Sequence, residues 1–385
     1  MKRNTIRVIG GVALSLALAA AMTACGTAKP GAEGGAKCKG KIGFFGALSG
    51  GNASVVLPSR DGAKLAFKQF KEKNKDCKDV KMVEFDTEGD PAKASPVASK
   101  IASDKTFIGT IGGAFSGETR ATKKTFDEAG VTMVSASATA TDLTAQDPAK
   151  VFHRVVGHDE FQGAAVGKYL VEVLKAKKAF VVDDGTTYGK PLADKVVETA
   201  GSAVASRDHV QEKQTDFAST VAKVKNAKAD AVFYAGYANE AGPFLKQLRG
   251  AGLKIPFVGG DGLYGADFPE AAGSQSEGAI ITCPCLPAEK ASGSFAEDFK
   301  AEYGEDPGAY AAEGYDAANV FLDGIKAGKT TRESLLKYVD SYDKDGVTKH
   351  IKFDDKGDVD EANVVIWAYK IEGGKLVPDQ EISLK

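Results

Sequence analysis

From Lys41 onward, short apolar runs alternate with amphipathic helical stretches, and few architectures bury both patterns at once. Residues 42–45 are a strand pattern, after which Ala63, Ala66, Phe67 and Phe70 fall on one helical face. A strand over 80–85 comes next. Asp90-Pro91 supplies a cap and a first-turn proline to the following helix, a strand spans 107–111, and a helix over 119–129 precedes a strand over 131–135. A second series opens near Phe161, with helices to 175 and over 191–200, 217–227 and 240–250. Its strands lie at 179–182, around Val204, at 231–234 and at 257–258. Each series predicts a parallel sheet with helices on both faces, so the fold class is α/β with two doubly wound lobes. Helical patterns over 295–303 and 310–327 and strand patterns over 351–353 and 364–369 complete them, which makes the chain cross between lobes more than once.

What precedes this pattern sets the compartment. Lys2, Arg3 and Arg7 form a basic start, and residues 8–21 are a nearly unbroken apolar run, shorter than the roughly 20 residues a membrane-spanning helix needs. The run ends at Met22-Thr23-Ala24-Cys25, which resembles a bacterial lipobox with Met22 at the usual leucine position. Residues 1–24 therefore read as a lipoprotein signal peptide, Cys25 as the acylated residue, and 25–37 as a flexible Gly/Ala tether. An ordinary secretory signal cut after an Ala-x-Ala-like site is the alternative. About 350 residues remain, more than one core usually serves, so two domains are expected. Lys plus Arg number 50 against 52 for Asp plus Glu with no basic block, which gives no support to a nucleic-acid partner.

Cys25 aside, the cysteines are Cys38, Cys77, Cys283 and Cys285, an even number in an oxidising compartment. Three connectivities exist. Cys38 with Cys77 is favoured, because each lies just before a strand and those strands are expected to be neighbours; Cys283-Pro284-Cys285 either closes a small ring or stays reduced. His153, His158, His209 and His350 have no ligand-like spacing with these thiols, so no metal site is expected.

In open parallel sheets, ligands bind beyond the carboxyl ends of the strands. The first such loop carries glycines at 46, 50 and 51, not the spacing of a dinucleotide site, and no cofactor is implied. Gly112, Gly117 and Thr119 match a phosphate loop except that Glu118 replaces its lysine, which inverts the charge. What remains there is the Ser116 hydroxyl beside a helix start, a pairing suited to a carboxylate. Ser135 to Thr139 is a run of small residues after the next strand, in which the Thr139 hydroxyl can both donate and accept. In the second series Tyr188, Tyr237 and Asp261 each follow a strand: two aromatic walls with polar tips and one counter-ion for an ammonium. No nucleophile–base pair accompanies them, so the chain is not expected to be an enzyme.

With these loops assembled, the chain resembles the leucine/isoleucine/valine-binding family of periplasmic binding proteins, the type I branch serving ABC importers. The resemblance runs from about 41 to 369. It rests on Gly46-Ala47-Leu48-Ser49-Gly50, residues 112–119, 135–139 and 184–189, Gly236-Tyr237, Gly259-Gly260-Asp261-Gly262 and the late segment 310–320 with Tyr315-Asp316-Ala317. It implies that Ser116 and Thr139 hold a ligand α-carboxylate. The Ser137 carbonyl and Asp261 would hold the α-ammonium, and Tyr188 and Tyr237 would close over both. Asp261 stands where the family commonly has glutamate, and Val55 where it often has an aromatic, so the ligand's side chain is left open.

The expectation is thus a clamp: residues 38–157 and 285–361 as one lobe, 158–284 and 362–385 as the other, with crossings near Gly157, Pro284 and Glu361. Its partners would be a small amino-acid-like ligand, permease subunits of an ABC transporter, and the outer face of the cell membrane through the lipid. A sensor of the same fold, a binder of an amide or urea-like solute, and an exported hydrolase are the rival readings.

Overall fold

The computed structural model describes residues 38–146 and 150–383; the leader, Cys25 and the tether lie outside the described residues. In chain order the first series is β1 (Lys39–Gly46), α1 (Ala53–Lys73), β2 (Asp79–Asp86), α2 (Pro91–Ser103) and β3 (Phe107–Ile111). It continues with α3 (Ser116–Ala129), β4 (Thr132–Ser135), the single turn α4 (Asp142–Ala145) and β5 (Phe152–Arg154). The five strands are parallel in the order β2-β1-β3-β4-β5. Local chemistry places the helix ends. The Asp90 carboxylate accepts from Ala92 N at 2.8 Å with Pro91 in the first turn, and Gly130, at φ +67°, terminates α3 in the left-handed region.

The second series is α5 (Asp159–Lys168), which runs on as a π-turn over Tyr169–Val173, then β6 (Ala179–Asp183), α6 (Gly189–Ala200) and β7 (Val204–His209). After these come α7 (Ala218–Asn226), β8 (Ala231–Ala235), α8 (Ala238–Gly250), β9 (Phe257–Gly259), α9 (Asp267–Ala272) and β10 (Ile280–Cys283). The chain then returns to the first sheet as α10 (Phe295–Tyr303), α11 (Ala311–Lys326) and α12 (Arg332–Asp340), with α11 packed along α1. A hairpin of β11 (Asp343–Asp345) and β12 (His350–Lys352) leads back to β13 (Trp367–Glu372) and β14 (Lys375–Glu381). The second sheet has the order β14-β13-β10-β9-β8-β6-β7, and β13 runs antiparallel to both of its neighbours, β10 and β14. It is therefore mixed where parallel strands alone were expected. Gly157, Pro284 and Glu361 lie on the three segments that pass between the sheets.

Successive strand residues face opposite sides, and the cores follow that rule. Phe44 packs with Phe67 and Phe321 beneath α1 and α11, while Phe45 packs with Ile101 and Phe126 beneath α2 and α3. In the second sheet Tyr234 faces Phe244 and Leu248, and Phe233 faces Leu192 and Val196. The run Ala231–Ala235 is buried on both faces, as a central parallel strand requires. Cys38 is disulfide-bonded to Cys77 across the amino ends of β1 and β2, and Cys283 to Cys285 where the chain leaves β10.

Candidate ligand-binding cleft

The strand orders decide where a cleft forms. In the first sheet the connections reverse direction between β1 and β3, and in the second between β6 and β8; such switch points leave a crevice at the carboxyl ends of the strands. Phe115 and Ser116 follow β3, Tyr188 follows β6 and Tyr237 opens α8 after β8, so both crevices contribute to one site. A narrow cavity, about 10 Å³, is lined by Ser116, Ser137, Thr139, Tyr188, Tyr237 and Asp261, all six residues singled out in the sequence. Val55, Ala114, Phe115, Gly262 and Tyr310 complete the lining.

The first-lobe wall is a lattice of small hydroxyls. Ser135 Oγ donates to Gly113 O at 2.8 Å and accepts from Ala138 N at 3.0 Å; Ser137 Oγ donates to Ala114 O at 2.7 Å. Ser116 Oγ accepts from Ala140 N at 3.1 Å, which leaves its hydrogen to donate into the cavity. The Thr139 hydroxyl is buried with no hydrogen-bond partner. Behind this loop Arg154, fully buried, donates to Ala138 O at 3.1 Å, Ala140 O at 2.8 Å, Thr144 Oγ1 at 2.8 Å and Asp358 Oδ1 at 2.5 Å.

The opposite wall is acidic and aromatic. Asp261, 4% exposed, accepts from Tyr188 Oη at 2.7 Å and Tyr310 Oη at 2.6 Å, and Gly262 N donates to the Tyr188 oxygen at 3.1 Å. Gly262 has to be glycine: a Cβ there would lie 2.5 Å from Gly236 O and 2.9 Å from Tyr188 Cε1. Tyr237 stands between Tyr188 and Phe115, 5.3 Å from each ring, and so joins the residues that follow β6 to those that follow β3.

Tyr310, which lines the cavity, and Asp159, which lies behind the Thr139 loop, were not anticipated. Tyr310 precedes α11 with φ +56°, a left-handed conformation with no local signature beyond its place at the head of the 310–320 segment. Asp159 begins α5 just after the first crossing; it is buried, and neither carboxylate oxygen has a hydrogen-bond partner. Burial and the charge of Asp261 push its pKa well above the carboxylate range, while Thr139 stands close enough to favour the ionised form without reaching hydrogen-bond geometry. Burial also raises the pKa of Asp261, against the lowering effect of its two tyrosine hydroxyls. Among the described residues Asp261 is the one charged residue in the lining, and the cation acting on Asp159, Arg154 behind the Thr139 loop, is already engaged by Asp358, so an ammonium in the pocket would meet acids not otherwise neutralised.

Glu118 plays no part in it. Helix α3 starts at Ser116, three residues before the expected 119, and this turns Glu118 inward to accept from Phe115 N at 3.2 Å and from the Thr87 hydroxyl. Burial raises its pKa to about 7. The carboxylate at the lysine position of a phosphate loop is thus a buried cap of its own helix.

Known proteins share this architecture. The leucine-, isoleucine-, valine-, threonine- and alanine-binding protein of Pseudomonas aeruginosa is 29% identical over 335 residues, 86% of this chain and 89% of the relative. The Leu/Ile/Val-binding protein of Citrobacter freundii is 31% identical over 327 residues, covering 83% and 88%. The branched-chain amino acid transporter substrate binding protein LivJ of Streptococcus pneumoniae, solved in complex with isoleucine, superposes with a TM-score of 0.81 at 27% identity, covering 89% of this chain and 98% of that one. A family model described as periplasmic binding protein matches residues 39–375, from β1 through β13 and every residue of the cleft. With two sheets of the same order opposed at their switch points, and a match that runs unbroken through both, this chain belongs to the periplasmic binding protein family, a family of transporter-associated binding proteins and not of enzymes.

Proposed function

We propose that the chain captures a small α-amino acid of the branched-chain type in this cleft and delivers it to an ABC importer by clamp closure. The observation that carries the reading is one cavity lined by hydroxyls with unused capacity, at Ser116 and Thr139, and by the Asp261 carboxylate, with the unpaired Asp159 carboxylate beside Thr139. An α-amino acid presents a carboxylate and an ammonium, the two groups that such a lining complements. Ser116 and Thr139 take the carboxylate, while the Ser137 carbonyl and Asp261, joined by Asp159, take the ammonium. Tyr188 and Tyr237 cover both charges, and the side chain lies toward Val55 and Phe115. Residues 38–157 with 285–361 form one jaw and 158–284 with 362–385 the other, hinged at the three crossings. The relatives that bind leucine, isoleucine and valine support the ligand class.

A thermal-shift screen of the twenty amino acids with small amides and urea tests this reading, since a ligand at about a hundred times its dissociation constant adds roughly 2.7 kcal/mol. A clear rise with an aliphatic amino acid is expected; a rise with urea or an amide alone overturns the ammonium assignment. Among the described residues no helix is long and apolar enough to cross a membrane; membrane attachment through a lipid on Cys25 is part of the proposal. Cys25→Ala is expected to move the protein from the membrane fraction to the soluble fraction with ligand affinity unchanged. Retention in the membrane after removal of the leader would show that another element anchors it.

A further inference from the structure

Helix α1 belongs to the first lobe and α9 to the second, yet each is capped by the other. Asn52, the N-cap of α1, makes no side-chain cap, and the first turn of α1 holds no acid. The Ser54 N–H donates instead to Asp267 Oδ2 at 2.9 Å, a carboxylate 213 residues away. In return the Asp267 N–H, at the start of α9, donates to Ser54 Oγ at 3.0 Å. Neither residue lines the ligand cavity. The approach is tight: a Cβ on Gly265 would sit 2.3 Å from Ser54 Oγ, and one on Gly51 would sit 2.1 Å from Asn239 Oδ1 of the second lobe.

We propose that Ser54 and Asp267 form a reciprocal latch that holds the lobes closed without touching the ligand, and so set its affinity and dwell time; this rests on the clamp reading. Both bonds cross the cleft, so opening the lobes breaks both at once and gives their groups back to water. The carboxylate also sits at the positive end of α1, a favourable contact available only when closed. A ligand that needs the closed state binds more weakly in proportion as that state is depopulated. The latch acts equally on every ligand, so it sets strength and leaves selectivity to the cavity.

The test uses the full chain with L-isoleucine as probe. Ser54→Ala and Asp267→Ala are each expected to speed isoleucine dissociation about tenfold, with association and the rank order of amino acids unchanged. The double variant should be worse than either single one and roughly additive, because Ser54→Ala removes only the bond from the Asp267 N–H and Asp267→Ala only the bond from the Ser54 N–H. Asp267→Asn keeps an acceptor for the Ser54 N–H and should recover part of the loss, which a packing role would not predict. Unchanged dissociation in both alanine variants, or an altered rank order, overturns the latch. A ligand-independent arm separates this from a wrong ligand class: Ser54→Cys with Asp267→Cys, oxidised and checked by mass spectrometry, should lock a compact shape in X-ray scattering without any amino acid. Failure of that bond to form overturns the latch even if isoleucine binds. Its formation in a chain that ignores isoleucine supports the latch and refutes the ligand class instead.

Discussion

Asp261→Asn is expected to weaken an α-amino acid ligand by at least about 2 kcal/mol, roughly thirtyfold, measured by calorimetry. Both Asp261 oxygens already accept a tyrosine hydroxyl, from Tyr188 and from Tyr310, so the carboxylate is held rigidly with its charge directed at the cavity. An amide loses that charge and also sets an N–H₂ donor against one of the two hydroxyl donors. The ammonium would then be buried beside Asp159 alone. Asp261→Glu should fall between wild type and the asparagine variant, since the acid is kept but its extra methylene must displace Tyr188, Tyr310 or the ligand. Wild-type affinity in Asp261→Asn would mean that the ligand carries no ammonium at this position.

The same pair makes binding pH-dependent, with a definite sign. Burial raises the pKa of both Asp159 and Asp261 in the empty cleft. Acids raised in this way favour the folded, ligand-free protein below their ordinary range near 3.8, and that contribution is lost as pH rises through the raised values. A bound ammonium favours the ionised pair, so binding releases protons and affinity declines as pH falls through the same window. Calorimetry in two buffers of different ionisation enthalpy reads this release directly; identical heats in both would remove Asp159 from the site.

The second large effect is on stability. Arg154→Met is expected to cost about 3–5 kcal/mol, seen as an early unfolding transition of the first lobe in denaturant. Its guanidinium satisfies two backbone carbonyls, a threonine hydroxyl and the Asp358 carboxylate, in a position with no access to water. Burial works against ionisation of Asp358, and the Arg154 charge and hydrogen bond outweigh it to hold the pKa below the usual range. Without the arginine that carboxylate keeps only the Thr144 hydroxyl and loses its counter-ion, and the Ala138 carbonyl loses its guanidinium donor. Arg154→Met combined with Asp358→Leu should recover much of the loss, because removing both partners of a buried pair is far less harmful than removing one. If the double variant is as unstable as the single, the arginine matters through the 138–140 carbonyls and not through the ion pair. Ligand affinity should fall in both, since Thr139 lies between those carbonyls.

Periodicity carried most of the architecture. A buried parallel strand needs a short run of apolar residues and a covering helix needs one apolar face, and both patterns survive in the sequence wherever a β/α unit repeats. The strand-end rule then led from those runs to Ser116, Ser137, Thr139, Tyr188, Tyr237 and Asp261, which the fold brings to one cavity. Elements outside the repeat left weaker traces. Strand β14 is an edge strand whose residues are mostly exposed and include Pro378, so it has no apolar run, and its antiparallel pairing with β13 follows from the chain's last return to the second sheet. Helix α12 begins at the Thr331 cap and buries only Leu335 and Val339, a face too narrow to stand out. Tyr310, Asp159 and the Ser54–Asp267 pair were beyond any local pattern. The partners of Tyr310 and of Ser54 lie 49 and 213 residues away in sequence, and Asp159 feels the charge of Asp261 from the other series, so these contacts exist only once both series have folded and met.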